Sequence, residues 1–125
     1  WARRITGAGA DAFSLVENSL AVVRMSPFAL GHIVQDETGT PVIIHCTCRD
    51  RNLMGQQSEL LGAHALGIRV ILALTGDPAS MGDEMGSSSV YDTNSVGLIE
   101  LIAAMNRAKR TCWSPPFFQR ASNAL

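Results

Sequence analysis

Polar side chains suited to binding a ligand follow three apolar runs of the sequence. They are Glu17 and Asn18 after the first run, His45, Thr47 and residues 49–52 at the end of the second, and Thr75, Gly76 and Asp77 after the third. If the three runs are parallel strands, their carboxyl ends meet at the edge where such sheets bind ligands. The sequence therefore predicts a ligand site at that edge.

Several of these groups also have a purely structural interpretation. Asp50 or Asn52 would cap the helix that follows, and Asp77 precedes Pro78 as turn residues often do. A histidine on a strand, such as His45, is often a core residue with a satisfied ring. The coincidence of all these groups at one edge is what favours a function.

The cysteines do not indicate a disulfide framework. Cys46, Cys48 and Cys112 are few and odd in number, which favours a reducing, cytoplasmic compartment. On a strand, His45 would face away from Cys46 and Cys48, and Cys-x-Cys is not the usual zinc spacing. We therefore expect buried reduced thiols and no metal.

Strand and helix patterns alternate along the chain. Strands are predicted over residues 11–16, 41–48 and 68–74, and the last is apolar enough for burial on both faces. Helices are predicted over residues 19–36, with a break or restart at Pro27, and over residues 52–66, ending at Gly67. Asp92 or Thr93 would cap a last helix that runs to Met105.

The spacing of the strands predicts the fold class. They start near residues 11, 41 and 69, about 30 and about 28 residues apart, close to the roughly 31 residues per unit of a (β/α)8 barrel. A doubly wound sheet has units of similar size, so both architectures remain open. We predict an α/β fold of parallel strand–helix repeats over residues 1–106, followed by a divergent or irregular tail over residues 107–125.

The composition argues against nucleic acid as a partner and against a membrane-spanning segment. Of 125 residues, 46% are hydrophobic and 17% charged, which is ordinary for one globular domain. The net charge of −1 offers no basic surface for nucleic acid, and no apolar run approaches the roughly 18 residues of a membrane span. We find no secretory signal, dinucleotide fingerprint, P-loop or Gly-x-Ser-x-Gly elbow.

Three segments form a specific signature. They read HCTCRDRN at residues 45–52, QSELLGAHALGIR at residues 57–69 and LALTGDP at residues 72–78. Together they closely resemble methylenetetrahydrofolate reductases, in particular the branch often fused behind a homocysteine methyltransferase domain. Residues 8–12 and 90–99 match the same branch, so the likeness extends in order over about residues 7–105.

The resemblance implies a fold and a reaction. The fold would be a fragment, about units two to four, of a (β/α)8 TIM barrel that binds FAD at the carboxyl ends of its strands. The reaction would be reduction of 5,10-methylenetetrahydrofolate to 5-methyltetrahydrofolate, in one-carbon and methionine metabolism. NAD(P)H usually reduces the flavin, which passes the hydride to the folate substrate.

The resemblance also assigns roles to the polar residues after the second and third strands. His45 matches a histidine that contacts the flavin, and Thr75 and Gly76 match a turn that lies along it. Asp77 matches an aspartate near the flavin N1 edge and the folate. There the carboxylate would favour a cationic iminium form of the folate, which makes Asp77 the candidate catalytic and substrate-binding residue.

Further cofactor contacts are implied elsewhere. Tyr91 and Asp92 match a pair of residues at the cofactor, and Ser14 and Leu15 match strand positions that touch nicotinamide and flavin. Glu17 falls near a small flavin-contacting position. Residues 49–52 are a signature of the branch, with no role assigned beyond loop and helix cap.

Departures from the family pattern lead us to expect an inactive fragment. The family's catalytic glutamate precedes the matched region, and Glu17 is not its counterpart. The alternative is a non-catalytic flavin- or folate-binding module that self-associates or needs a partner to complete the barrel. A strand over residues 117–125, parallel to residues 68–74, would favour continuation of the barrel.

Overall fold

Three strands and four helices alternate along the described part of the chain. The computed structural model describes residues 1–111, with side chains as far as residue 107. The strands are β1 (Phe13–Leu15), β2 (Val42–Thr47) and β3 (Val70–Leu74), and the helices are α1 (Ala2–Gly7), α2 (Pro27–Thr38), α3 (Leu53–Ala65) and α4 (Ser95–Thr111). Single 3-10 turns, Ser19–Ala21 and Ala79–Met81, lie in the loops after β1 and β3.

The three strands form one parallel sheet in the order β1-β2-β3. The register pairs Ser14 with Ile43 and His45 with Leu72. Parallel neighbours need a crossover between them, and α2 and α3 supply it. The predicted α/β class with parallel strand–helix repeats is therefore confirmed. A barrel segment and a doubly wound sheet share this strand order, so the order alone does not distinguish the two architectures.

The hydrophobic core lies on one face of the sheet. The inward side chains of β1 and β2 are at most 7% exposed: Phe13, Leu15, Val42, Ile44 and Cys46. They form one cluster with side chains from three helices: Phe28 and Val34 of α2, Ala63 of α3 and Leu98 of α4. Burying a large apolar side chain contributes roughly 1.5–3 kcal/mol, so this cluster holds the helices on the sheet.

The opposite face of the sheet is open, and here the predicted burial of β3 on both faces is wrong. Val70 and Leu72 are 46% and 43% exposed. Within the described residues, the core cluster gathers on the other face only, and a continuous apolar run is buried on both faces only when a second layer covers it. The open face of β1 and β2 carries Ser14 and His45.

Local signals place several helix ends correctly. The predicted helix over residues 19–36 is wrong in its first part, because residues 19–26 contain only the 3-10 turn Ser19–Ala21. The helix α2 begins at Pro27, which occupies its first position. Asn52 caps α3, because its Oδ1 accepts the Gly55 N–H at 2.8 Å. Gly67 follows the end of α3 with a positive φ of 79°, as predicted.

The predicted cap of the last helix is wrong. Asn94, and not Asp92 or Thr93, accepts the Gly97 N–H at 3.0 Å, and α4 begins at Ser95. The Asp92 carboxylate instead accepts the Leu53 N–H at 3.1 Å, at the start of α3. Three neighbouring residues that all suit a cap cannot be told apart by type alone.

Two other features complete the description. The sequence pattern does not predict α1, and α4 continues through Thr111 into the segment that we predict to be irregular. Residues 117–125, where a strand would favour continuation of the barrel, lie outside the described residues. Among the helices that the structure describes, none has the length and apolar character needed to span a bilayer.

Candidate functional site

Ser14 and His45 form a polar pair on the open face of the sheet. Ser14 Oγ lies 2.9 Å from His45 Nε2. The two residues are on adjacent strands and face the same side, since Ser14 is opposite Ile43 and His45 lies two residues beyond Ile43. Ser14 is exposed and His45 half-buried, so both keep a surface for a ligand.

Leu15 lies on the other face from this pair. It is 7% exposed and belongs to the core cluster. Its Cδ1 atom would be 3.5 Å from a Cβ added at Gly31, which shows how closely α2 packs on it. The structure therefore brings together Ser14 and His45, but not the Leu15 side chain.

The turn after β3 packs directly on the end of β2. Gly76 has a φ of 92°, and a Cβ there would lie 3.0 Å from Thr47 Cβ and 3.3 Å from Arg49 Cβ. Asp77 follows, with its Oδ2 accepting the Leu20 N–H at 3.1 Å. No ion pair involves the Asp77 carboxylate in the part of the chain whose side chains are described.

Tyr91 and Asp92 are held at the same edge by different contacts. The Tyr91 hydroxyl donates to the Gly76 carbonyl at 3.0 Å, and Asp92 holds the start of α3. Thr75 Oγ1 accepts the Ser95 N–H at 3.2 Å, at the start of α4. Thr75, Tyr91, Asp92 and the first turns of α4 line an open depression of about 810 Å³.

Arg49, which sequence reasoning left without a role, occupies the centre of this edge. It is 2% exposed. Its guanidinium donates to both oxygens of Asp50, at 2.6 and 2.9 Å, and to the carbonyls of Asn18 and Asp77, each at 3.1 Å. The hydrogen bond from Arg49 lowers the pKa of Asp50, and the same bond raises the pKa of Arg49.

Glu17 forms a second buried ionic contact beneath the edge. Glu17 is 4% exposed, and its Oε2 accepts the Thr47 N–H at 2.6 Å. Its Oε1 lies 2.6 Å from Arg51 Nη1, and Arg51 also lies over the Phe28 ring at 5.7 Å. Burial opposes the charge of Arg51, but the negative charges of Glu17 and Glu59 favour it, and the pKa of Arg51 is raised. Glu17 thus joins the ends of β1 and β2.

The two cysteines of β2 and its end are buried free thiols, as predicted. Cys46 Sγ donates to Gln56 Oε1 at 3.4 Å, and Gln56 in turn donates to the Thr47 carbonyl at 2.7 Å. Burial, with the nearby charge of Glu17, raises the pKa of Cys46 to about 12. Such a thiol is a structural group and not a nucleophile at neutral pH.

The edge of the sheet thus offers the Ser14–His45 pair, the Asp77 carboxylate, which forms no ion pair among the described side chains, and Tyr91, which lines the open depression. The fold defines the chain as a parallel α/β protein, a class in which ligands bind at the carboxyl ends of the strands. Residues 3–112 match the family model of methylenetetrahydrofolate reductase, so the chain belongs to that family. Comparisons with curated proteins and with solved structures give no match.

Proposed function

We propose that this edge is the flavin-binding part of a folate-reducing site. The reaction is the reduction of 5,10-methylenetetrahydrofolate to 5-methyltetrahydrofolate with FAD and NAD(P)H. Membership of the family supports an oxidoreductase acting on folate. The observation that carries the proposal is that Ser14, His45 and the 75–77 turn, which lie far apart in sequence, share one edge of the sheet.

The residues present suit a flavin. An isoalloxazine ring needs an apolar surface together with hydrogen-bonding groups at its polar edge. The open sheet face provides an exposed apolar side chain, Leu72, next to His45 in the register. His45, Ser14 and Tyr91 supply imidazole, hydroxyl and phenol groups that remain at least partly accessible.

Each residue has a defined task in this proposal. FAD, when bound, supplies the hydride chemistry. Ser14 orients His45 toward the ring, and Thr75 and Gly76 lie along the cofactor. Asp77 places a negative charge where the folate develops positive charge, which favours a cationic iminium form. Tyr91 and Asp92 complete the cofactor side, and Leu15 supports the site from the core.

We further propose that the sheet is part of a (β/α)8 barrel. The core face is covered by helices, while the opposite face carries a polar Ser14–His45 pair. That polarity suits the interior end of a barrel, where ligands bind, better than a face covered by an apolar helix layer. Glu17 is occupied by Thr47 and Arg51, which leaves it unsuited to act as the family's catalytic acid.

On this basis the 125-residue chain binds flavin without turning over folate. The alternative, a non-catalytic flavin- or folate-binding module completed by a second copy or a partner, is favoured by the exposure of Val70 and Leu72. A turnover assay with FAD, NAD(P)H and methylenetetrahydrofolate tests the inactive state directly. Measurable turnover by the purified chain would contradict it.

The first experiment is FAD binding, measured from the flavin absorbance that stays with the chain after gel filtration. We expect retention by the unmodified chain and loss in the double variant His45→Ala, Asp77→Ala. The matched control is His32→Ala, Asp36→Ala, which removes the same side-chain types from exposed positions on α2. If the unmodified chain retains no FAD, or both double variants lose it equally, the proposed site is wrong.

A further inference from the structure

Arg49 contacts the loops that follow all three strands. Its guanidinium donates to the carbonyls of Asn18 after β1 and Asp77 after β3, and to the carboxylate of Asp50 after β2. Its own carbonyl accepts the Val90 N–H at 2.9 Å, next to Tyr91. One buried side chain and its backbone thus connect the segments that carry Asp77 and Tyr91.

The charge of Arg49 is directed away from the Asp77 carboxylate. Asp50 accepts two of its hydrogen bonds, at 2.6 and 2.9 Å, as a bidentate partner. Arg49 reaches Asp77 only through the backbone carbonyl, while the Asp77 side chain accepts from the Leu20 N–H. Arg49 therefore fixes the position of Asp77 without forming an ion pair with its carboxylate.

We propose that Arg49 is the positioning residue of the site: it holds the Asp77 turn and the Tyr91 segment against the strand ends, and Asp50 neutralises the Arg49 guanidinium so that it does not offset the negative charge of the Asp77 carboxylate. The part of this proposal that concerns the cofactor rests on the proposed function. The geometric part stands on the described contacts alone.

A lysine cannot replace Arg49 in this role. The planar guanidinium serves four acceptors in three loops at once, whereas an ammonium is a single point charge on a flexible stem. Arg49→Lys keeps the charge beside Asp50 and loses contacts to the two carbonyls. The conservative variant therefore separates positioning from charge.

The first arm of the test is amide hydrogen exchange in the chain without flavin. The probes are the Leu20 N–H, which Asp77 accepts, and the Val90 N–H, which Arg49 accepts. We expect Arg49→Lys to accelerate exchange at both by about tenfold or more, since a charge-assisted hydrogen bond contributes on that scale. Arg51→Lys is the control, because Arg51 pairs with Glu17 and Glu59 and makes no described contact with the Asp77 turn or the Tyr91 segment.

Two results of this arm would overturn the proposal: wild-type exchange rates at both amides in Arg49→Lys, or equal acceleration in Arg51→Lys. If Arg49→Lys does not fold, Asp50→Asn replaces it. That variant removes the bidentate carboxylate but keeps Arg49, and it should accelerate the same two amides. Glu59→Gln, which removes a carboxylate beside Arg51, should leave exchange at both amides unchanged. Equal exchange rates in Asp50→Asn and Glu59→Gln would likewise refute the positioning role.

The second arm measures the flavin. We expect Arg49→Lys to weaken FAD binding by about tenfold and Arg51→Lys by less than about twofold. Asp50→Asn should raise the midpoint potential of bound flavin, because an unneutralised Arg49 favours the anionic reduced ring. Unchanged affinity in Arg49→Lys, or an unchanged potential in Asp50→Asn, contradicts the cofactor role. If the wild-type chain binds no FAD, the proposed function fails, and the exchange arm still decides whether Arg49 positions the loops.

Discussion

Substituting Gly76 by alanine tests the packing of the 75–77 turn on the end of β2. The φ of Gly76 is 92°, and an added Cβ would lie 3.0 Å from Thr47 Cβ and 3.3 Å from Arg49 Cβ. The backbone conformation costs alanine roughly 1–2 kcal/mol. Crowding against two buried residues adds roughly 1–3 kcal/mol. We therefore expect Gly76→Ala to lower the free energy of unfolding by about 2–5 kcal/mol.

Gly39→Ala is the matched control for the backbone contribution. Gly39 has a φ of 69°, but nothing lies within 4 Å of an added Cβ. Gly39→Ala should therefore lower the free energy of unfolding only by the conformational part, roughly 1–2 kcal/mol. The difference between the two variants isolates the contact between the turn and β2.

Equilibrium unfolding in urea, followed by circular dichroism, measures both variants. An unchanged slope with denaturant would show that the midpoint shift reports stability. If Gly76→Ala is no more destabilised than Gly39→Ala, the turn does not pack on Thr47 and Arg49 as described. The placement of Asp77 at the strand ends would then lose its basis.

Three further predictions follow from the buried and charged groups. With Cys112→Ser to remove the third thiol, Cys46 and Cys48 should react with a thiol reagent at pH 8 at least about a hundredfold more slowly in the folded chain than in urea, because burial raises the pKa of both. Because the pKa of Asp50 is lowered on folding, its contribution to stability is complete above about pH 4 and lost as the pH falls through the folded value. Urea midpoints from about pH 2 to about pH 5 should show this loss, and Asp50→Asn should flatten it. Glu17→Gln should lower the free energy of unfolding by about 3–5 kcal/mol in the same urea assay, since it leaves Arg51 without its buried partner. A cost below about 1 kcal/mol would mean that this pair is screened by water.

The strands and most helix ends could be predicted because their signals are local. Pro27 fixes the backbone at a helix start, Asn52 has a side chain that caps, and Gly67 tolerates a positive φ. Each of these preferences acts within a few residues of its position. The parallel sheet then follows from the alternation of strands and helices.

The errors arose where distant residues decide the outcome. The apolar run of β3 does not reveal whether its second face is covered, and Val70 and Leu72 are exposed in the structure. Asp92 resembles a cap for α4 but is held by Leu53, on a different helix. Such choices depend on which segment arrives nearby, and neither periodicity nor residue type encodes that.

The sequence predicts only part of the candidate site, because some of its residues have a local signal and others depend on distant segments. His45, Asp77 and their neighbours follow apolar strands, which is a visible signal at one edge of a parallel sheet. Arg49 also follows a strand, but its role was not visible, because Arg-Asp-Arg in a loop resembles a solvated charged segment. Its 2% exposure results from the meeting of three strand ends around it.

The two carboxylates near the edge, Glu17 and Asp77, differ in a way that bears on their roles. Glu17 is buried, accepts the Thr47 N–H and is ion-paired with Arg51, so its charge is already compensated and it joins β1 to β2. Asp77 is half-buried and accepts a backbone N–H, and no described cation pairs with it. A carboxylate can stabilise positive charge on a bound substrate only if its own charge is not already neutralised. Of these two groups, Asp77 meets that condition and Glu17 does not, which is why we propose a functional role for Asp77 and a structural one for Glu17.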